Sequence, residues 1–229
     1  MSTDAAHSVL LFDLDGTLLD TPRAIAEQFS IAVEQVTGVH PGEEAARRLI
    51  GAPLERMAGA LSGTDPDSPT AQAVSAEYLT RYRELIVPKA ADLLFPGVRA
   101  GLERLTRHGF VPAVVTSKRH ESAELILAAA GIRELFAVVV GADEVAHPKP
   151  HRASADVALA ALGRPDTGPH GAVVGDTAAD IGLAVALGVF GIGVTFGVYS
   201  HEQIIAAAPD FIAHSFDDVT GALLRRSGE

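Results

Sequence analysis

The chain has 229 residues, of which 48% are hydrophobic and 21% charged, and a formal net charge of −11. That length allows one substantial core with a smaller second unit, and the composition is that of a soluble globular protein. The negative balance, with no cluster of Lys and Arg, argues against a nucleic-acid surface. A sequence without cysteine excludes disulfides, thiolate catalysis and Cys-based zinc sites, and its nine His residues show no HExxH spacing.

Met1 to His7 is polar and acidic, without the basic-then-apolar form of a signal peptide. The apolar run Val9-Leu10-Leu11-Phe12 has the length of a buried strand and ends abruptly at Asp13-Leu14-Asp15-Gly16-Thr17. Pro22 to about Pro88 then reads as helical throughout. Pro22 suits a first helical turn, Pro41-Gly42 opens a second helix through Leu49-Ile50, and Pro53 begins a third. A long helix is expected from Pro69 through Tyr78, Tyr82 and Leu85-Ile86.

From Phe95 onward, helices and short apolar runs alternate. Helices are expected over 97–108, 120–130, 152–162 and 178–187, with strands over 111–116, 136–140, 172–174 and 190–194. Ile181 to Tyr199 carries no charge, yet five glycines interrupt it, so it reads as a helix end and a strand and not as a membrane span. This alternation predicts an α/β fold, a Rossmann-like parallel sheet with helices on both faces. The helical stretch becomes a small all-helical cap inserted after the first strand. The expected division is a core of residues 1–20 and 89–229 and a cap of residues 21–88. A cytoplasmic enzyme with no membrane or nucleic-acid partner is expected, and the oligomeric state is left open, a homodimer included.

Ligands of open parallel sheets bind outside the carboxyl ends of the strands. Asp13 and Asp15 follow the first strand, and Thr116-Ser117-Lys118 follow the second. Lys149 follows the third, and Gly175-Asp176-Thr177-Ala178-Ala179-Asp180 follows the fourth. Each has an ordinary explanation on its own: Asp-Gly as a turn, Thr116-Ser117 as a helix cap, Lys149 as a solvated loop residue. Asp176 and Asp180 could equally be an N-cap and a first-turn carboxylate. Their order on successive strand ends argues for one site.

The DxDGT segment at Asp13 to Thr17, the strand-terminal Thr116, Lys149 and the GDxxxD segment at Gly175 to Asp180 together resemble the haloacid dehalogenase superfamily of phosphohydrolases. Leu49-Ile50-Gly51-Ala52-Pro53-Leu54, Phe95-Pro96-Gly97-Val98 and Thr116-Ser117-Lys118 resemble its phosphoglycolate phosphatase-like subgroup. The resemblance implies that Asp13 is a nucleophile forming an aspartyl-phosphate, that Asp15 is the acid and base, and that Lys149 offsets charge. It implies Mg²⁺ held by Asp13, the Asp15 carbonyl and Asp176, with Asp180 binding through water or holding Lys149. Thr116, Ser117 and Lys118 would bind substrate, a small phosphorylated metabolite such as phosphoglycolate or a sugar phosphate.

Dehalogenases of the superfamily lack an acid at the place of Asp15, which disfavours carbon–halogen chemistry. The related mutases carry a cap histidine and a basic residue where this chain has Ile25 and Ile50. A mutase, a pyrophosphatase and, outside enzymes, a catalytically silent binding module are the alternatives. Arg47, Arg48, Arg56, Tyr82 and Arg83 are the cap candidates to meet an anionic substrate group, although surface arginines of helices are usually solvated.

Overall fold

Complete burial of Val9–Phe12 puts this strand, β1, at the centre of a six-stranded parallel sheet in a computed structural model describing residues 8–228. Met1 to His7, including the expectation about a signal peptide, and Glu229 lie outside the described residues. The remaining strands are β2 (Val111–Val115), β3 (Val138–Val140), β4 (Ala172–Gly175), β5 (Phe190–Val194) and β6 (Phe211–Ala213). Their order is β3-β2-β1-β4-β5-β6, with Phe12 in register with both Val114 and Val174.

Successive side chains of a strand point to opposite faces, so the sheet has two apolar surfaces to cover. Leu10 and Phe12 face one cluster, with Leu105 of α5 (Val98–Arg107), Ile126 of α6 (His120–Ala129) and Leu223 of α10 (Phe216–Arg226). Val9 and Leu11 face the other, with Leu159 of α7 (Ala153–Ala161) and Leu183 of α8 (Ala178–Leu187). Phe12 is fully buried between an edge-on Phe136 at 6.3 Å and a stacked Phe216 at 6.0 Å. Burying one such ring contributes about 2–3 kcal/mol.

The helical stretch expected to form the cap comprises α1 (Pro22–Thr37), α2 (Glu43–Arg47), α3 (Leu54–Ser62) and α4 (Pro69–Arg81). Pro22 opens α1, and Gly38 closes it in a left-handed conformation at φ 77°. The Ser68 hydroxyl caps α4 by accepting from the Ala71 N–H at 3.1 Å. Phe29 of α1 stacks on Tyr78 of α4 at 4.5 Å, which ties the two helices together. The apolar cluster on the Leu10 face runs without interruption into the cap, through Phe29, Met57, Tyr78 and Tyr82.

Several expected boundaries move. The long helix from Pro69 ends at Arg81 and continues as a π-type turn over Tyr82–Ile86 and a 3₁₀ turn over Val87–Lys89. Such turns re-aim side chains, and Pro88 supplies no N–H for a regular continuation. Tyr82 is thereby fully buried, its hydroxyl donating to the Ser122 carbonyl at 3.0 Å. The second cap helix is only Glu43–Arg47, because tight turns from Ala46 and Arg47 lead into Gly51 at φ 100°. The third strand shrinks to Val138–Val140, since Ala137 donates only a single bond to Pro112 before the ladder begins. After Val194, where the sequence pattern assigns no element, α9 (His201–Ala206), β6 and α10 complete the sheet and its cover.

Candidate active site

Connections leave β1 toward β2 on one side, while β4 lies on the other, so a crevice opens beyond the carboxyl ends of β1 and β4. The Asp13 N–H donates to the Val174 carbonyl at 2.9 Å, which brings the loop after β1 against the loop after β4. Gly16 adopts φ 83°, and a Cβ there would strike the Asp176 carboxylate. A Cβ on Gly175 would likewise strike Asp180. Glycine at these two places therefore permits the carboxylates to pack around the strand ends.

Lys149 crosses the crevice. Its ammonium donates to Asp13 Oδ1 at 2.7 Å, Asp180 Oδ1 at 2.6 Å and the Val115 carbonyl at 3.0 Å. All three of its hydrogens are used, so the ammonium is fixed between the ends of β1, β2 and β4. Burial pushes the Asp13 carboxyl up to about 6, against the opposing pull of Lys149. Burial would lower Lys149, but Asp13 and Asp180 together hold it above the ordinary lysine value.

Asp176 is fully buried, and burial followed by the charges of Asp13 and Asp180 pushes its carboxyl well above the usual range. Among the described residues its hydrogen-bond donors are neutral, the Val198 N–H at 2.6 Å and the Thr17 hydroxyl at 3.4 Å. Oxygens of Asp13, Asp176 and Asp180 all lie within 4.8 Å of one another. A buried carboxylate cluster with a single ammonium is electrostatically incomplete, and hard oxygen ligands of this kind suit a divalent cation. Asp180 is otherwise engaged: its second oxygen accepts from the Thr177 N–H at 3.0 Å and hydroxyl at 2.7 Å. Asp13 and Asp176 are thus the two carboxylates with capacity left for a cation.

The Asp15 carboxylate does not join this cluster. Its Oδ1 accepts from the Thr21 hydroxyl at 2.6 Å, and its Oδ2 lies 3.0 Å from the Lys118 ammonium. Lys118 also lies 4.5 Å from the centroid of the Tyr82 ring, so one cation holds core and cap at the same point. Thr116 is buried at the end of β2, its hydroxyl accepting from the Lys118 N–H at 3.2 Å. Asp13, Asp15, Thr116, Ser117 and Lys118 all line one cavity between core and cap. Lys149 borders a second cleft, with Arg48, Arg56 and Tyr199.

The expected cap residues separate on this geometry. Tyr82 lines the cavity, whereas Arg47 is exposed and Arg83 pairs with Glu121 at 3.0 Å on the surface. Arg48 and Arg56 reach only the second cleft, because Ala46 and Met57 take the inward positions of their helices. Sequence reasoning missed Thr21, Thr177 and the Val198 N–H as orienting groups. Thr177 was legible: it stands at the N-cap of α8 three residues before Asp180, whose carboxylate accepts from the Thr177 N–H, so Thr177 and not Asp176 occupies the cap position. The partners Thr21 and Val198 are set by the fold and carry no local signature.

Residues 10–194 match the family model described as haloacid dehalogenase-like hydrolase. The chain belongs to that family. A protein named "Probable phosphatase IndB" from Dickeya dadantii is 39% identical over 214 residues, covering 93% of this chain and 92% of that one. A phosphoglycolate phosphatase from Rhodobacter capsulatus is 33% identical over 184 residues, 79% of this chain and 80% of its own. Among solved structures, a predicted phosphoglycolate phosphatase from Haemophilus somnus 129PT superposes with a TM-score of 0.81 at 25% identity, covering 95% and 98% of the two chains. No helix among the described residues is long and apolar enough to cross a membrane.

Proposed function

We propose that this haloacid dehalogenase-like hydrolase is a Mg²⁺-dependent phosphatase acting on a small phosphorylated metabolite. The observation that carries the reading is the pair Asp13 and Asp15, two residues apart in one loop with separate charge environments. Asp13 is buried against Lys149, and Asp15 is held by Thr21 and Lys118. Carboxylates with different environments suit different roles.

In this reading an Asp13 oxygen attacks phosphorus. The bond to the ester oxygen breaks, its electron pair leaves with that oxygen, and Asp15 in its acid form supplies the proton. Water then attacks the aspartyl-phosphate and gives a proton to Asp15, and the bond between phosphorus and Asp13 breaks to release phosphate. Lys149, with its hydrogens shared between Asp13 and Asp180, keeps the nucleophile oriented and offsets charge. Asp13 and Asp176 would hold Mg²⁺, which when bound offsets the charge of the incoming phosphate. Thr116, Ser117 and Lys118 would bind the phosphoryl group, and Asp180 serves by positioning Lys149. The chain is read as two units, residues 1–20 with 89–229 and residues 21–88, the second covering the site of the first.

A mutase finds less support, because Ile25 and Ile50 both contribute apolar wall where the resembling mutases carry polar groups. Release of inorganic phosphate from an aryl phosphate with Mg²⁺, its loss in EDTA, and phosphate label trapped on Asp13 test the proposal. Turnover that persists in excess chelator, or in Asp13→Asn protein free of deamidation, would overturn it.

A further inference from the structure

The cavity between cap and core has two chemically distinct sides. Its floor is the polar loop ends, with Asp13, Asp15, Thr116 and Lys118. Its roof comes from the cap, and none of the ten cap residues lining it is charged. Ile25, Phe29, Ile50, Leu54, Met57 and Tyr78 present aliphatic and aromatic surface, and Tyr82 closes the wall. Phe29 and Tyr78 are stacked, and Tyr78 lies 6.0 Å from Tyr82, so three rings run in series along this wall.

The cations near the cavity are already matched. Lys118 is committed to the phosphoryl group and lies 3.0 Å from Asp15 Oδ2, and Arg119 lies 3.8 Å from Glu55 and 3.6 Å from Asp143. A carboxylate on the leaving group would be desolvated against an apolar roof with no unmatched cation to receive it. An uncharged apolar or aromatic group would instead exchange water for ring and alkyl contact.

We infer that the preferred substrate is a phosphate monoester of an alcohol bearing an uncharged, largely apolar group, and that a carboxylate-bearing ester such as phosphoglycolate is disfavoured. This rests on the phosphatase reading and narrows it: the polar floor holds the phosphoryl group, and the cap wall selects what is attached to it. Met57 and Leu54 are specificity-determining residues in this scheme. Arg48 and Arg56, in the second cleft, take no part in recognition.

The test compares kcat/KM for benzyl phosphate and phosphoglycolate, both esters of primary alcohols, by phosphate release from the full chain with Mg²⁺. A preference of at least tenfold for benzyl phosphate is expected in the wild type. Met57→Arg should move that ratio at least tenfold toward phosphoglycolate, while Met57→Leu leaves it unchanged. The wild-type comparison needs no variant to fold. Equal or better turnover of phosphoglycolate would overturn the inference and leave the phosphatase reading standing. The same holds if phosphoglycolate turnover dominates and is lost in Arg48→Ala or Arg56→Ala, which would put the substrate in the second cleft. No phosphate from either ester or from an activated aryl phosphate would overturn the phosphatase reading itself.

Discussion

Asp13 and Asp15 stand two residues apart and answer to different lysines: Asp13 Oδ1 is 2.7 Å from Lys149, and Asp15 Oδ2 is 3.0 Å from Lys118. One lysine follows β3 and the other follows β2, so the two carboxylates are separated by the elements that hold their partners. Their substitutions are expected to behave differently.

Asp13→Asn should lower steady-state phosphate release by about a thousandfold or more, as removal of a nucleophile does. It should also affect stability in a pH-dependent way when chelator is present. The fold raises the Asp13 carboxyl from 3.8 to about 6, so the native state binds the proton more tightly than the unfolded chain. The stability contributed by the neutral form is complete below about pH 4 and lost as pH rises through about 6. In EDTA, the Tm of the Asn variant should therefore gain on the wild type between pH 4 and 7, then keep a constant lead. A gap that narrows with rising pH would contradict the placement of this carboxyl.

Asp15→Asn should lower kcat by about 10²–10⁴-fold on esters with poor leaving groups, the usual range for a lost proton-transfer group. Activated aryl esters, whose oxygen leaves without a proton, should lose much less in the first step. Burst kinetics with such an ester should show rapid release of the phenol followed by slow hydrolysis of the aspartyl-phosphate. Equal losses on both kinds of ester, with no burst, would remove Asp15 from proton transfer.

Mg²⁺ should raise the Tm of the wild type. Saturation at about a hundred times Kd contributes about 2.7 kcal/mol, which for a chain of this size corresponds to a shift of roughly 5–10 °C. Asp176→Asn should abolish most of that shift while leaving the metal-free protein at least as stable as the wild type. The reason is that burial and the neighbouring carboxylates disfavour the charge on Asp176. A full Mg²⁺ shift in the variant, measured by differential scanning fluorimetry, would assign the cation elsewhere.

Lys149→Ala should lower activity on every phosphate ester alike, because its ammonium touches Asp13 and the carboxylate cluster and does not line the cavity under the cap. It should also destabilise the metal-free protein by about 3–5 kcal/mol, since it leaves buried carboxylates uncompensated. Mg²⁺ should restore part of that stability. Urea titrations with and without Mg²⁺ measure both effects, and an unchanged midpoint in EDTA would show the ammonium to be dispensable.

Chain order and local chemistry determined much of this protein. Val9–Phe12 reads as a buried strand because four apolar residues end at Asp-Gly, and the alternation after Phe95 reads as a parallel sheet because each apolar run is followed by an amphipathic segment. The strand-end placement of Asp13, Asp15, Thr116 and Asp176 follows from the same pattern. What local sequence does not encode is the partner across the crevice. Thr21 on Asp15, the Val198 N–H on Asp176 and the Val115 carbonyl on Lys149 depend on which loops the sheet order brings together. The cap shows the same division. Its helices are legible from periodicity, but the π-type turn at Tyr82–Ile86 and the outward aim of Arg48 and Arg56 are decided by packing on the core. Burial of the rings of Phe29, Tyr78 and Tyr82 outweighs any local preference of the arginines, so the roof of the site is apolar and its floor is charged.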